Sequence, residues 1–146
     1  MERVRLEFPE ARRVHRHPLS VRVSDMNYGG HLGHDALLSL MHEGRKHALA
    51  ALGFDEWNLA GYPSVVADLA VTYQSEARWP DALVVETAIP VPQGRAICIY
   101  HRLLKADDDR VVATARLNLV LVDTSSGRPV SVPEPVRQAI AEAGGT

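Results

Sequence analysis

The sequence has little cysteine, no long hydrophobic run and no excess of charge of either sign. Its single cysteine, Cys98, cannot form an internal disulfide, and its place in the apolar run 96–100 predicts a buried thiol without a redox role. The longest apolar runs, such as 48–52, are far shorter than the roughly 20 residues that a membrane-spanning helix requires. With 16 Lys and Arg against 18 Asp and Glu, the formal charge is -2. Such a chain has no basic field to attract nucleic acid or anionic lipid.

Targeting and cofactor signatures are missing as well. The first residues are charged and contain no apolar core followed by a small-residue cleavage site, so we expect a cytoplasmic protein. No glycine-rich phosphate-binding motif and no Gly-x-Ser-x-Gly motif occurs, which excludes the usual nucleotide-cofactor sites and a serine hydrolase of that type. What remains is 146 residues with 46% hydrophobic and 23% charged residues, typical of one folded domain spanning residues 1–146.

One segment has a clear helical period. Between Asp35 and Leu52, apolar residues recur every three or four positions and predict a helix of about five turns. Asp35 is a candidate N-cap, and Gly53 stands where a left-handed residue would end the helix. Because the polar side of this helix is narrow, we expect apolar groups to enclose it on most sides.

Most of the remaining chain has the composition of β-strands. An early strand alternates at Leu19, Val21 and Val23 and stops at the glycine loop 26–30. Short turn segments separate the later strands and predict an antiparallel meander. The predicted strands of this meander are 65–74, 83–89, 95–104 and 111–123, the last one long enough that it must curve. Residues 1–13 are expected to form an N-terminal arm, and 134–143 a short C-terminal helix.

These elements predict an α+β architecture in which a curved five-stranded antiparallel sheet wraps one central helix. One helix cannot cover a whole five-stranded sheet, so the remaining apolar face and the sheet edges are expected to meet a second copy. The sequence therefore predicts a homodimer, or a homotetramer built from two dimers.

The segment 23–34, VSDMNYGGHLGH, resembles the hotdog-fold acyl-CoA thioesterases of the 4-hydroxybenzoyl-CoA thioesterase type, whose pattern here is Asp-x-Asp-x-x-Gly-His. The segment 41–45, MHEGR, resembles the Glu-x-Arg part of that family's central helix, and the likeness covers roughly residues 15–140. The resemblance implies a hotdog fold that hydrolyses an acyl thioester to CoA and a carboxylic acid. It implies no metal or redox cofactor.

One departure from the family pattern bears on the chemistry. Aligned on Gly30-His31, Asp25 matches the first Asp of the pattern, but the second, which is catalytic in many members, falls on Asn27. An amide cannot act as a carboxylate nucleophile or as a general base at neutral pH. A non-catalytic protein that binds acyl-CoA or a fatty acid in the same groove is therefore the alternative to an enzyme.

Thioester hydrolysis requires donors aimed at the developing oxyanion. A helix N-terminus supplies free N–H groups and a positive dipole end, and a glycine-flanked entry lets a substrate approach the backbone closely. The resemblance places these donors near Gly33 to Asp35. We expect Gly30, Gly33 and His34 to lie beside the substrate, although the same entry also serves folding alone.

The hydrolytic water needs a base as well. The candidate side chains are Asp25, His31, His34, Asp35 and Glu43. Each has a structural alternative: Asp35 as a helix cap, Asp25 as a tie that holds the loop, and either histidine as a loop or rim residue. The preferred mechanism is a water oriented by Asn27 and deprotonated by His31 or Asp35, with helix-end N–H groups stabilising the oxyanion.

Glu43 and the histidines of the helix need separate interpretation. Glu43 lies about two turns, or roughly 12 Å, beyond Asp35, so it either contributes to a substrate site completed by a partner chain or pairs with Arg45 or Lys46. Histidines at 31, 34, 42 and 47 suggest a metal site, but their spacing fits no known ligand pattern. No metal is expected.

Overall fold

The computed structural model describes residues 1–145, which form an α+β fold with a long helix on a five-stranded sheet. The elements are β1 Arg13–Ser20, α1 His34–Ala51, β2 Ser64–Tyr73, β3 Ala82–Ala88, β4 Ala96–Lys105, β5 Val111–Leu121 and α2 Glu134–Ala143. The strands pair antiparallel in the order β1-β3-β4-β5-β2. The predicted fold, a curved antiparallel sheet around a long helix, is confirmed.

The packing follows from the alternation of the strands. On β4, Ile97, Ile99 and His101 are fully buried and alternate with exposed or partly exposed neighbours, as expected for a strand with one face on the core. Leu37 and Met41 of α1 pack into the same cluster as Leu103. The helix contacts β1, β3 and β4, so one face of the sheet positions the helix and its N-terminus.

Two strand predictions were wrong in position or pairing. The early strand is Arg13–Ser20 rather than a run through Val23, because the chain turns into a short 3-10 helix at Val23–Asp25. The meander holds for β3, β4 and β5, but β2 pairs with β5 at one edge of the sheet. The reason is that β1 occupies the free edge of β3, with Arg16 directly opposite Glu86.

The helix differs from its prediction at one end and on one side. Gly33 occupies the N-cap position and Asp35 lies inside the first turn, so Asp35 is not the cap. Gly53 follows the helix with φ of 89°, as predicted. The helix is less enclosed than expected, because the face that includes Ser39, Glu43 and Ala50 is exposed.

Cys98 lies on β4 and is only partly buried, rather than buried as predicted. Burial nevertheless raises the pKa of its thiol, so the thiol stays protonated near neutral pH. Residues 1–9 have no regular secondary structure, but Phe8 is buried, with the Arg102 guanidinium 4.2 Å above its ring. Over residues 1–145, no helix combines the length and the apolar character needed to cross a bilayer.

Candidate active site

The loop between β1 and α1 is folded around the side chain of Asn27. Its Oδ1 accepts hydrogen bonds from the N–H groups of Gly29 at 3.0 Å and His31 at 3.2 Å. The Asn27 N–H donates to the His31 carbonyl at 2.8 Å, and Gly30 closes the turn with φ of 78°. Since Oδ1 accepts from two N–H donors, Nδ2 is the atom left to donate outward from this exposed residue.

Asp25 holds the loop together. This is the structural role that the sequence suggested as the alternative to a catalytic base. Its carboxylate accepts from the Arg22 backbone N–H at 2.8 Å and from the Arg22 guanidinium at 3.2 and 3.0 Å. Burial opposes ionisation of Asp25, but these hydrogen bonds outweigh it and lower the pKa of the carboxyl. Asp25 is therefore an ionised anchor that holds the loop, with its side chain only 5% exposed.

The helix N-terminus presents free backbone donors next to this loop. No side chain of residues 1–145 caps α1, and Leu37 donates the first bond of the helical ladder, to Gly33. The Gly33 N–H itself donates to the Asp25 carbonyl at 3.0 Å. The available donors are therefore the N–H groups of residues 34–36, so the Gly33 N–H predicted to contribute is already used. Residues 34 and 35 are exposed, which leaves this end accessible to a ligand.

His31 stands at the rim of the loop with a carboxylate partner that the sequence did not suggest. Its Nε2 lies 3.2 Å from Glu76 Oε2, and its side chain is 37% exposed. The backbone fixes this pairing, because the Leu32 N–H donates to the Ala77 carbonyl at 2.8 Å. With Nε2 facing Glu76, Nδ1 is the ring nitrogen left to accept a proton.

Tyr73, at the end of β2, also reaches the helix N-terminus. Its hydroxyl donates to the His34 carbonyl at 3.1 Å. Partial burial raises the pKa of Tyr73, and the nearby Asp35 carboxylate raises it further. The Asp35 carboxylate also lies over Gly33, since a Cβ at position 33 would be 2.8 Å from Asp35 Oδ1. His34 and Asp35 therefore lie together at one exposed edge of the loop.

Glu43 is remote from this edge, and its partner is neither Arg45 nor Lys46, the two residues that the sequence suggested. It pairs with His47 at 3.4 Å, whereas Lys46 pairs with Asp55 and Arg45 with Glu56. The reason is the i,i+4 spacing, which puts positions 43 and 47 on the same helix face. Glu43 lines a hollow of about 520 Å³ on the exposed side of α1, together with the exposed Trp57.

A polar network connects the buried Arg45 and His101 to the surface of the helix. Arg45 donates from Nη1 to His101 Nε2 at 3.4 Å and from Nε to Glu56 at 3.5 Å, and His42 pairs with Glu56 at 2.8 Å. Burial, followed by the charges of Arg45 and His42, lowers the pKa of His101 to about 3. His101 is therefore neutral, and because Nε2 accepts from Arg45, its Nδ1–H donates to Thr87 Oγ1 at 3.0 Å.

Sequence reasoning did not identify this network, although a signal was present. Arg45 lies four residues from both Met41 and Leu49 on the buried stripe of α1, and His101 alternates with Ile99 and Leu103 on the inward face of β4. A charged or polar residue in such a position is rarely buried without a partner.

Comparison with known proteins finds thioesterases among the relatives of this chain. The model of the thioesterase-like superfamily matches residues 21–140. An acyl-CoA thioesterase of Haemophilus influenzae, YbgC, is 28% identical over 125 residues, covering 84% of this chain and 90% of that protein. The solved structure of Slr0204, a 1,4-dihydroxy-2-naphthoyl-CoA thioesterase from Synechocystis, superposes with a TM-score of 0.80 at 17% identity, covering 87% of this chain and 95% of that one.

The PA2801 protein of Pseudomonas aeruginosa superposes with a TM-score of 0.78 at 26% identity, covering 88% of this chain and 98% of that chain. The family model spans most of the chain and includes the loop, the helix and every strand after β1. The resemblance noted from the segment 23–34 is confirmed: this chain belongs to the thioesterase-like superfamily.

Proposed function

We propose that this protein hydrolyses acyl-CoA thioesters at the N-terminus of α1. The observation that carries the proposal is the set of N–H groups of residues 34–36, which have no partner within the helix and lie beside a glycine loop, with residues 34 and 35 exposed. A thioester carbonyl at this position would accept hydrogen bonds from them, and the helix dipole would stabilise the negative charge of the tetrahedral intermediate. Membership of a thioesterase-like superfamily supports the same reaction.

The proposed mechanism uses Asn27 and His31 together. Asn27 Nδ2 orients a water, and His31 Nδ1 accepts its proton as the water oxygen attacks the carbonyl carbon. The C–S bond then breaks, and His31 gives the proton it accepted to the leaving CoA sulfur, which yields the carboxylic acid and CoA and restores the neutral imidazole. Asp35 is the alternative base because it stands at the same edge. General base catalysis of this kind contributes about 10²–10⁴-fold to a rate.

The substrate-binding roles follow from the same positions. Gly30 and Gly33 keep side chains away from the thioester, Asp25 fixes the loop that carries them, and His34 lies at the mouth of the site. Glu43, on the exposed face of α1, belongs to the part of the site that a second copy completes.

We further propose that the protein is a homodimer paired through β2. This strand lies at the sheet edge and exposes Val65, Val66 and Leu69 to the extent of 51%, 49% and 45%. An uncovered apolar edge of this kind favours pairing with another strand. Two-fold symmetry would place two β2 strands antiparallel and continue the sheet across both copies. The tetramer and the cytoplasmic location stay predictions.

The dimer is tested by sedimentation equilibrium of the Val66→Lys variant. A lysine on the edge should block pairing and give a monomer, whereas Val91→Lys, at an exposed position in the turn before β4, should leave the mass unchanged. A monomeric wild-type protein, or a Val66→Lys variant that stays dimeric, contradicts pairing through β2.

Activity is tested by thiol release from a series of acyl-CoA substrates. We expect Asn27→Ala and His31→Ala each to lower kcat/KM at least tenfold, and Gln138→Ala on the exposed side of α2 to have no effect. The competing function, a non-catalytic acyl-CoA binder, predicts saturable binding of acyl-CoA without thiol release. If both site variants turn over substrate like the wild type, the assigned roles are wrong.

A further inference from the structure

A groove separates α1 from the edge strand β2. The helix packs on β1, β3 and β4, and a cavity of about 250 Å³ remains between it and β2. Leu38, Met41, Leu69 and Leu117 contribute to its apolar wall. This volume lies just below the usual range of small-molecule sites. A cavity of this size fits one unbranched hydrocarbon chain.

The groove begins at Leu38, about one helical turn beyond His34 of the proposed reaction centre. The Tyr73 hydroxyl bonds the end of β2 to the first turn of α1, and the Ser64 hydroxyl bonds the start of β2 to the Glu56 carbonyl at 2.8 Å. Strand β2 therefore runs opposite to the helix, with Leu69 and Leu38 lining the groove beyond this contact. At its far end the groove reaches Arg45, about 15 Å along the helix axis from Asp35.

Arg45 forms the polar end of this apolar groove. Its side chain is only 8% exposed, and Nε and Nη1 are directed at Glu56 and His101. Within the described residues, no acceptor is bonded to Nη2, and this nitrogen is not among the buried unpaired atoms. Since Arg45 lines the groove, Nη2 is the donor that a ligand there would meet. A largely buried guanidinium is stabilised by such an acceptor.

The surrounding charges decide which acceptor fits. Glu56 already neutralises Arg45 in part, and His101 is neutral with both ring nitrogens engaged. A second carboxylate would stand close to the carboxylate of Glu56, and the two like charges would repel. A neutral oxygen gains the hydrogen bond from Nη2 without that repulsion.

We propose that the groove binds an extended acyl chain with a hydroxyl group at its far end, and that Arg45 is the residue that selects it. This inference rests on the proposed thioesterase function. The distance from the helix N-terminus to Arg45 sets the length at about ten carbons, because C–C bonds of about 1.5 Å follow a zigzag. An acyl group the size of one aromatic ring would not reach Arg45 from the reaction centre.

The test compares thiol release from decanoyl-CoA, 10-hydroxydecanoyl-CoA and the CoA thioester of decanedioic acid. We expect kcat/KM to be about tenfold higher for the hydroxylated chain than for the plain chain, as one hydrogen bond to a charged donor provides. The dicarboxylic chain should be the poorest of the three. Equal rates for the first two substrates, or a preference for the dicarboxylic chain, would overturn the inference.

A variant then assigns the preference to Arg45. Because Arg45→Met alone would leave the half-buried Glu56 with His42 as its one remaining partner among residues 1–145, the paired substitution Arg45→Met/Glu56→Gln removes both charges together. Its kcat/KM ratio between 10-hydroxydecanoyl-CoA and decanoyl-CoA should fall to about one. A preference that persists in a folded double variant contradicts the role of Arg45.

A second variant keeps the inference testable if the double variant does not fold. Leu38→Trp, at a half-buried position on the helix side of the groove and away from the β2 edge, should lower the kcat/KM ratio of decanoyl-CoA to acetyl-CoA by blocking the groove. An unchanged ratio means that long acyl chains do not enter it. If the wild type releases thiol but shows no hydroxyl preference, this inference alone fails, whereas no thiol release from any acyl-CoA removes the proposed function as well.

Discussion

Gly44 of α1 and Val85 of β3 approach so closely that a Cβ at position 44 would lie 2.4 Å from Val85 Cγ1. This contact sets how deeply the helix sits on the sheet. In an exposed helix, replacing glycine by alanine stabilises by about 1 kcal/mol. Here we expect Gly44→Ala to lower the free energy of unfolding by about 1–3 kcal/mol, because the methyl group must displace a packed side chain. Urea denaturation measures the difference.

The same contact provides its own control. Val85→Ala removes both Cγ atoms near the new methyl group but keeps the Val85 Cβ, which would lie 2.7 Å from it. Gly44→Ala should therefore cost less in that background without becoming neutral. A double-mutant cycle gives the coupling energy, which we expect to be about 1 kcal/mol or more. If the two effects are additive, the clash is relieved elsewhere and the contact does not limit the approach of the helix.

The second prediction tests whether the glycine at position 33 is needed for the approach of the substrate or for the stability of the fold. This residue has φ of -66°, which alanine adopts freely, and the nearest atom to a new Cβ is the movable Asp35 carboxylate. We therefore expect Gly33→Ala to change the free energy of unfolding by less than about 1 kcal/mol. The methyl group would nevertheless stand beside the N–H groups of residues 34–36, so kcat/KM for acyl-CoA should fall at least tenfold.

Gly94 offers a matched control, because a Cβ there would have nothing within 4 Å. Gly94→Ala should leave both stability and thiol release unchanged. Normal turnover by Gly33→Ala would mean that the thioester carbonyl binds somewhere other than the N-terminus of α1.

The third prediction follows from the neutral state of His101. Its pKa is about 3 in the folded protein against an ordinary value of 6.5. Between these values the unfolded chain binds a proton at His101 and the folded chain does not. The free energy of unfolding should therefore fall as the pH drops from about 6.5 towards 3, by at most about 1.4 kcal/mol per pH unit, with no contribution from His101 above that window. Urea denaturation at a series of pH values measures the slope.

His101→Gln should flatten this slope, because the amide can still accept from Arg45 and donate to Thr87 but does not titrate. Some slope should remain, since burial also lowers the pKa values of His15 and His17. Ser39→Ala, at an exposed position of α1 that carries no titratable group, should keep the wild-type slope. If His101→Gln and the wild type lose stability equally between pH 6.5 and 4, another group is responsible for the acid sensitivity.

The elements that the sequence predicted well are those whose period is strong and local. The helix and the strands β3, β4 and β5 were each located to within about two residues at each end, because buried side chains recur at 3.6 or 2 residues along them. The pairing of β2 with β5 depends on which edge β1 occupies, a long-range contact that no local pattern contains. The run through Val23 failed for a local reason, since the Asp25 carboxylate binds the Arg22 N–H and turns the chain.

The candidate site was predictable only in part for a similar reason. The loop residues Asp25, Asn27 and His31 lie within one short segment, so their grouping follows from the sequence. Their surroundings come from distant segments: Glu76 follows β2, and Tyr73 is a strand residue whose hydroxyl reaches the His34 carbonyl. The spacing of these residues in the sequence carries no signal of such contacts.

The fourth prediction concerns the amide that replaces the carboxylate of the family pattern. In Asn27→Asp, one carboxylate oxygen can accept from the Gly29 and His31 N–H groups as Oδ1 does now, so the loop should keep its fold and its stability. The other oxygen would replace Nδ2 and offer a second base, which should make hydrolysis less dependent on His31. We expect His31→Ala to lower kcat/KM about 100-fold in the wild type but less than about tenfold in the Asn27→Asp background. A thiol-release assay of the four proteins completes the cycle, and an equal loss in both backgrounds would mean that position 27 does not face the attacking water.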